Sequence, residues 1–292
     1  MRTLAPFSLA RKLEQARSLD PAAGLVRDVV RKVLPPGPVR DTLHGVWMGH
    51  PVHPLAVQVP LGAWLSASVL DVLPGSETAA AVLIGVGVLA SGTAALSGVT
   101  DFSELHEQQQ RVGLVHAVTM DAATALYALS LFRRLTGRGN GRATALAGLA
   151  TAVAGGWLGG HMSFTQAAAA NHAEDVPHRI EPGWHRIAAL AELVPGVPQR
   201  RLLNDVPLLL VRSSTGEQVR VLSGLCSHLS GPLAEGTVER VAGAECIVCP
   251  WHGSTFDLDS GEPVRGPATA PQSKFETRVI DGTLEVMLPG AG

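Results

Sequence analysis

Cysteine and charge are the two things this chain has little of. Three cysteines in 292 residues are too few for a disulfide framework. Charged side chains are only 16% of the sequence, and mean hydropathy is positive, which argues against a wholly soluble protein. The first thirty residues hold no uninterrupted apolar run behind a basic start, and Arg11-Lys12 is not a twin-arginine pair. No secretory signal is therefore expected.

Glycine and alanine are abundant, and the average conceals a division. Residues 55–162 are strongly apolar, residues 181–292 hold nine basic and thirteen acidic side chains, and the first forty residues hold eight basic and three acidic. We therefore expect a basic amphipathic segment over 1–43, an all-α four-helix transmembrane domain over 44–164, a linker over 165–180 and a soluble domain over 181–289. Each of four apolar segments (55–73, 79–100, 115–132 and 143–162) is about long enough to cross a ~30 Å hydrocarbon core. Ala94 with Gly98, Gly155 with Gly159 and Gly156 with Gly160 form small-residue ridges that allow close helix contact in lipid. Ahead of them, residues 21–34 set Leu25, Val26, Val29, Val30, Val33 and Leu34 against Arg27, Asp28, Arg31 and Lys32 at helical spacing. Such a helix either lies on lipid or packs on its own protein.

An even number of crossings places His50, His53, Asp101, His106, His116 and His161 at one membrane face, whereas Glu77 and arginines occupy the other. Ionisable groups at membrane depth are costly and mark functional sites. Two readings stay open: two of His53, His116 and His161 ligate a haem axially, or they are interfacial histidines bonded to neighbouring helices. The run His50-Pro51-Val52-His53-Pro54-Leu55, Pro60, Gly98-x-x-Asp101, His116 and Gly155-Gly156-x-x-Gly159-Gly160 resembles a bacterial four-helix membrane family of unknown function, DUF2231, over roughly 44–170. That resemblance implies a fold and little more.

The later half carries Cys226-Ser227-His228 and Cys249-Pro250-Trp251-His252-Gly253-Ser254-Thr255-Phe256. Two thiolates and two imidazoles on two short loops are a metal site. Cys226 and Cys249 would hold one iron of a [2Fe–2S] cluster and His228 and His252 the other; a tetrahedral zinc shell is the alternative. With Asp257, the Gly261 turn and Gly266-Pro267-Ala268, these loops resemble Rieske domains of the ferredoxin-like branch over roughly 181–288. The resemblance implies a proline loop over the cluster, and short strand-like runs at 184–190, 207–212, 218–223, 244–248, 254–258, 274–280 and 284–288 indicate a small all-β antiparallel sandwich. In the respiratory branch of that family a cysteine pair clamps the loops and a tyrosine lies near the cluster; the matching positions here are Gly231, Trp251 and Phe256. With Ser254 as the remaining side-chain donor, a potential toward the lower part of the range of about −150 to +300 mV is expected. Cys246 reads as a buried, inert thiol in an apolar strand rather than as half of a redox C-x-x-C.

No catalytic residue is expected. An oxygenase would need a second iron held by two histidines and a carboxylate in a following domain, and Gly292 leaves no room for one. The expected role is a membrane-anchored electron-transfer component of an oxidoreductase system, served by a reductase, an oxygenase or a quinone. A redox sensor, a haem-containing electron-transfer component and a transporter with a regulatory cluster are the alternatives. Membrane lipid is an expected partner and nucleic acid is not. The expected location is the bacterial cell membrane, with the soluble domain on the cytoplasmic side. Arginines in the 133–142 loop oppose that orientation, whereas the basic N-terminus and the missing export signal favour it.

Overall fold

A computed structural model describes residues 5–214, 216 and 218–288; residues 1–4, and residue 289 at which the second domain is expected to end, lie outside that range. In chain order the helices are α1 (Ala5–Glu14), α2 (Asp20–Val33), α3 (Pro38–His44), α4 (Val52–Ala56), α5 (Gln58–Leu70), α6 (Glu77–Phe102), α7 (Glu107–Leu135), α8 (Arg142–Phe164) and α9 (Val176–Arg179). The strands are β1 (His185–Ala189), β2 (Pro198–Leu203), β3 (Val206–Arg212), β4 (Val219–Ser223), β5 (Thr237–Val241), β6 (Ala244–Val248), β7 (Thr255–Asp257), β8 (Pro263–Arg265), β9 (Lys274–Ile280) and β10 (Thr283–Met287). The chain forms two compact units, one of Met1–Pro36 with Pro51–Ala168, the other of Gly37–His50 with Ala169–Gly292.

In the helical unit α6, α7 and α8 are long and apolar enough to cross a membrane. The first expected span differs, because residues 55–73 fall on two helices, α4 of 5 residues and α5 of 13. Pro60 has no N–H to offer the Ala56 carbonyl, so the helix breaks at Val57. The core is built around Trp64 stacked on Tyr127, with ring centroids 4.4 Å apart and planes 11° from parallel. A stack of this kind contributes about 0.5–1.5 kcal/mol beyond the area it buries. A Cβ at Gly87 would lie 2.2 Å from Trp64 Nε1, so only glycine admits the indole there. Leu65, Leu89, Leu96, Val118, Leu146 and Val153 face outward; in lipid such a surface costs nothing.

Ion pairs close both ends of this unit. Arg134 grips Asp71 with two bonds of 2.7 and 2.6 Å. Arg111 reaches Asp20 at 2.6 and 3.0 Å and the Glu14 carbonyl at 2.7 Å, which moors the N-terminal helices. The two readings of the amphipathic helix therefore divide by edge: α2 buries Ala23 and Val30 but leaves Leu25, Val29 and Val33 exposed.

The second unit is all-β apart from short helices. Its six-stranded sheet runs β1-β10-β9-β4-β3-β2 and its four-stranded sheet runs β5-β6-β7-β8, with every named pair antiparallel. β3 is apolar on both faces because it separates two cores. Leu208 and Leu210 enter one, Leu209 and Val211 the other, as period-two alternation requires. The second core also contains Cys226, Cys249 and Phe256. Sequence patterning misses β2, β5 and β8. Each lies at a sheet edge, where the apolar signal is weaker; β1, the remaining edge strand, is found by its run over 184–190.

Candidate metal centre

The two cysteine loops are built alike. In the first, Cys226 N–H donates to the Gly231 carbonyl and Ser230 N–H to the Cys226 carbonyl, each at 2.8 Å. In the second, Cys249 N–H donates to the Ser254 carbonyl at 2.8 Å and Gly253 N–H to the Cys249 carbonyl at 3.1 Å. The offsets are the same, and the residue four after each cysteine, Ser230 or Gly253, has positive φ (60° and 75°). Each tip thus turns its cysteine inward and carries a histidine two or three positions later. The loops leave β4 and β6, strands of different sheets.

The expected site residues come together in two pairs, cysteine with cysteine and histidine with histidine. The cysteines are buried, and the Cys226 thiol donates to the Cys249 sulfur. That bond, followed by the Trp251 and His252 N–H groups, holds Cys249 down at about 7 against the opposing effect of burial. Cys226 is pushed well up, first by the same bond and then by burial. The pair therefore shares a proton that a metal would displace. His228 and His252 stand with ring centroids 5.1 Å apart and planes at 87°, half-buried at the rim. A Cβ at Gly231 would lie 2.7 Å from Cys249 Sγ, so the glycine keeps space beside the sulfur. Among the described residues no three His, Cys, Asp or Glu side chains converge on a single ion position. Two soft sulfurs inside and two imidazoles at the rim fit a two-iron cluster better than one tetrahedral zinc.

The surroundings lock the loops. Ser254 Oγ accepts from Ala268 N–H at 3.0 Å and its hydroxyl bonds to the Cys226 sulfur, lowering that thiol's pKa. Ser227 Oγ donates to the Ala270 carbonyl at 2.7 Å. The Gln272 amide, turned to satisfy both ends, donates to the Leu225 carbonyl at 2.9 Å and accepts from Ser227 N–H at 2.7 Å. His172 N–H donates to the Ser227 carbonyl at 2.8 Å, so the segment after α8 touches the first ligand loop.

One support has no sequence signal. The Asp41 carboxylate accepts from Gly266 N–H at 2.8 Å across 225 positions. A Cβ on Gly266 would approach the His44 and Val46 side chains to 3.2 Å. The segment containing α3 thus packs on Gly266-Pro267-Ala268.

Comparison with known proteins agrees with this geometry. Residues 183–276 match the model of the Rieske [2Fe-2S] domain. The ferredoxin subunit of anthranilate 1,2-dioxygenase from Burkholderia cepacia is 32% identical over 103 residues, 35% of this chain and 90% of that protein. The chain belongs to the Rieske [2Fe–2S] family. Ferredoxin CarAc of Metapseudomonas resinovorans is 31% identical over 104 residues, covering 35% of this chain and 92% of the relative. Among solved structures, the ferredoxin of carbazole 1,9a-dioxygenase from Nocardioides aromaticivorans IC177 is 31% identical, covers 36% of this chain and 96% of its own, and has a TM-score of 0.33. Residues 49–171 match DUF2231, a family described as predicted membrane proteins. The chain is therefore a Rieske-type electron-transfer domain on a membrane domain, and its cofactor is a [2Fe–2S] cluster rather than zinc.

The Rieske domain's departures from the respiratory branch have structural causes. A Cβ at position 231 would lie 2.7 Å from Cys249 Sγ; in place of a clamp, Gln272 and Ser227 tie the first loop to the 270–272 segment and Ser254 ties the second to Ala268. Phe256 is fully buried in the core it shares with both cysteines and offers them no hydrogen. Phe256→Tyr is expected to raise the midpoint potential, because a donor to the cluster sulfur favours the more negative, reduced form. A bond worth about 1.4 kcal/mol more to the reduced form amounts to about 60 mV for one electron. Redox titration checks this, and a fall in potential would refute the argument. Cys246 is fully buried in β6, and burial, its largest influence, raises its pKa, as an inert thiol requires.

Proposed function

We propose that Cys226 and Cys249 hold one iron and His228 and His252 the other, and that this domain carries single electrons from a soluble reductase to an oxygenase at the cytoplasmic face of a bacterial cell membrane. When bound, the cluster supplies reversible one-electron transfer and no bond chemistry. The residues of the chain do the rest. The cysteines sit inside the second core, away from water, while His228 and His252 lie at the rim where a partner can approach. That burial contrast is the observation on which the reading stands. Dioxygenase ferredoxin subunits among the relatives support the choice of partner, and a quinone is the second candidate because the chain is membrane-bound.

The membrane portion, taken as 44–164, keeps the carrier at the surface through lipid contact, with the exposed apolar edge of α2 lying on the bilayer. The redox portion is taken as 181–289. Stopped-flow mixing of full-length protein in nanodiscs with a Rieske-ferredoxin reductase and NADH should reduce the cluster, and an oxygenase should reoxidise it. Reduction by quinol alone would replace this reading with the quinone one. Protease should reach residues 181–288 in inverted vesicles; protection there would reverse the orientation.

A further inference from the structure

Within the helical unit two histidines are presented in the same way, each against a different helix. His53 Nδ1 lies 2.8 Å from the Ala94 carbonyl, and His116 Nδ1 lies 2.8 Å from the Gly155 carbonyl. A carbonyl only accepts, so each Nδ1 carries the hydrogen and each lone pair is on Nε2. Four residues beyond each carbonyl is a glycine. A Cβ at Gly98 would lie 2.7 Å from His53 Nδ1, and one at Gly159 3.2 Å from His116 Cε1. One device is thus built twice, once on α6 and once on α8: a carbonyl that fixes the tautomer and a glycine that lets the ring lie against the helix.

The two rings have centroids 6.3 Å apart and planes at 85°. A metal bound by an imidazole nitrogen is about 2 Å from it and roughly 3.1 Å from the ring centroid, so imidazoles on opposite sides of one metal have centroids about 6.2 Å apart, close to the separation of this pair. We propose that His53 and His116 are the two axial ligands of a haem iron held between α4 and α7. Charge selects haem over a bare ion. A divalent cation on two neutral imidazoles would keep its full charge in an apolar bundle, and among the described residues no acidic or third ligand joins the pair. A tetrapyrrole brings two negative charges and the four remaining ligands. His161, the third histidine of the sequence expectation, is taken up elsewhere, its Nε2 2.7 Å from Glu14 Oε1.

This inference is independent of the Rieske domain's partners. The test uses full-length protein made in haem-replete cells, purified in detergent and read by pyridine haemochrome, visible absorption and electron paramagnetic resonance. The expected result is haem stoichiometric with the chain and a six-coordinate low-spin iron. Nearly perpendicular imidazole planes leave two iron d orbitals close in energy, so its signal should be highly anisotropic. His53→Ala and His116→Ala should each abolish that signal, His161→Ala should keep it, and His116→Met should keep six-coordination with a shifted spectrum. An unchanged Rieske signal shows that each variant has folded. Wild-type protein with an intact cluster but no haem overturns the proposal, as does a low-spin signal that survives loss of either His53 or His116.

Discussion

Cys249→Ser should remove the Rieske electron paramagnetic resonance signal completely, while Cys246→Ala, three residues away, should leave it intact. The difference lies in where β6 ends. Cys246 is inside the strand, paired with Glu239 and Asp257, and buried away from the loop tip. Cys249 is one residue past the strand, where its sulfur meets that of Cys226. A serine hydroxyl would have to ionise at a far higher pKa than a thiol and is a harder ligand than iron–sulfur chemistry favours. Cys246 cannot stand in, because reaching the cluster would require unpairing β6 from both neighbours. Iron and acid-labile sulfide analysis of the two variants, alongside the spectrum, checks this. A signal retained in Cys249→Ser would show that the ligand set has been wrongly chosen.

Arg134→Ala should produce the largest loss of stability of any single change in the helical unit. The Asp71 and Arg134 side chains are 9% and 7% exposed, and two short bonds join them. Removing one member leaves a buried charge without its partner, which costs about 3–5 kcal/mol. Arg142 lies 3.9 Å from the same carboxylate and offsets part of this, so the lower end of that range is expected. Helical circular dichroism followed through graded detergent denaturation measures it. Exchanging the two residues, Asp71→Arg with Arg134→Asp, should recover part of the loss, because the attraction survives although the geometry does not. No recovery would mean that packing around Arg134, and not its charge, is what matters.

Much of the redox centre was legible because metal ligation is a local demand. A cluster on two hairpin tips needs each tip to supply its sulfur and its imidazole within a few residues, so C-x-H and C-x-x-H appear as short words in the chain. The equal closure of the loops was not legible. Ser230 and Gly253 take the same left-handed conformation, but only one of them is a glycine. Strand patterning found β1, β3, β4, β6, β7, β9 and β10 and failed at β2, β5 and β8, which lie at sheet edges, although β1 is an edge strand too. In the helical unit, hydropathy located the apolar segments but not the interruption at Val57, although Pro60 was in plain view. A proline inside an apolar run is compatible with a kink, a break or a helix start, and only packing chooses among them.

By itself the sequence determined the chemistry and the solvent of each part: a mixed sulfur and imidazole donor set in the second half, and apolar segments of membrane length in the first. Those follow from residue type and spacing, which act over a turn or a loop. Only the tertiary structure decided which distant groups meet. It set Asp41 on Gly266, gave His161 to Glu14, and placed His53 opposite His116 across helices with no spacing relation between them. Contacts of that kind depend on how helices and sheets pack, and no local pattern in the chain encodes them.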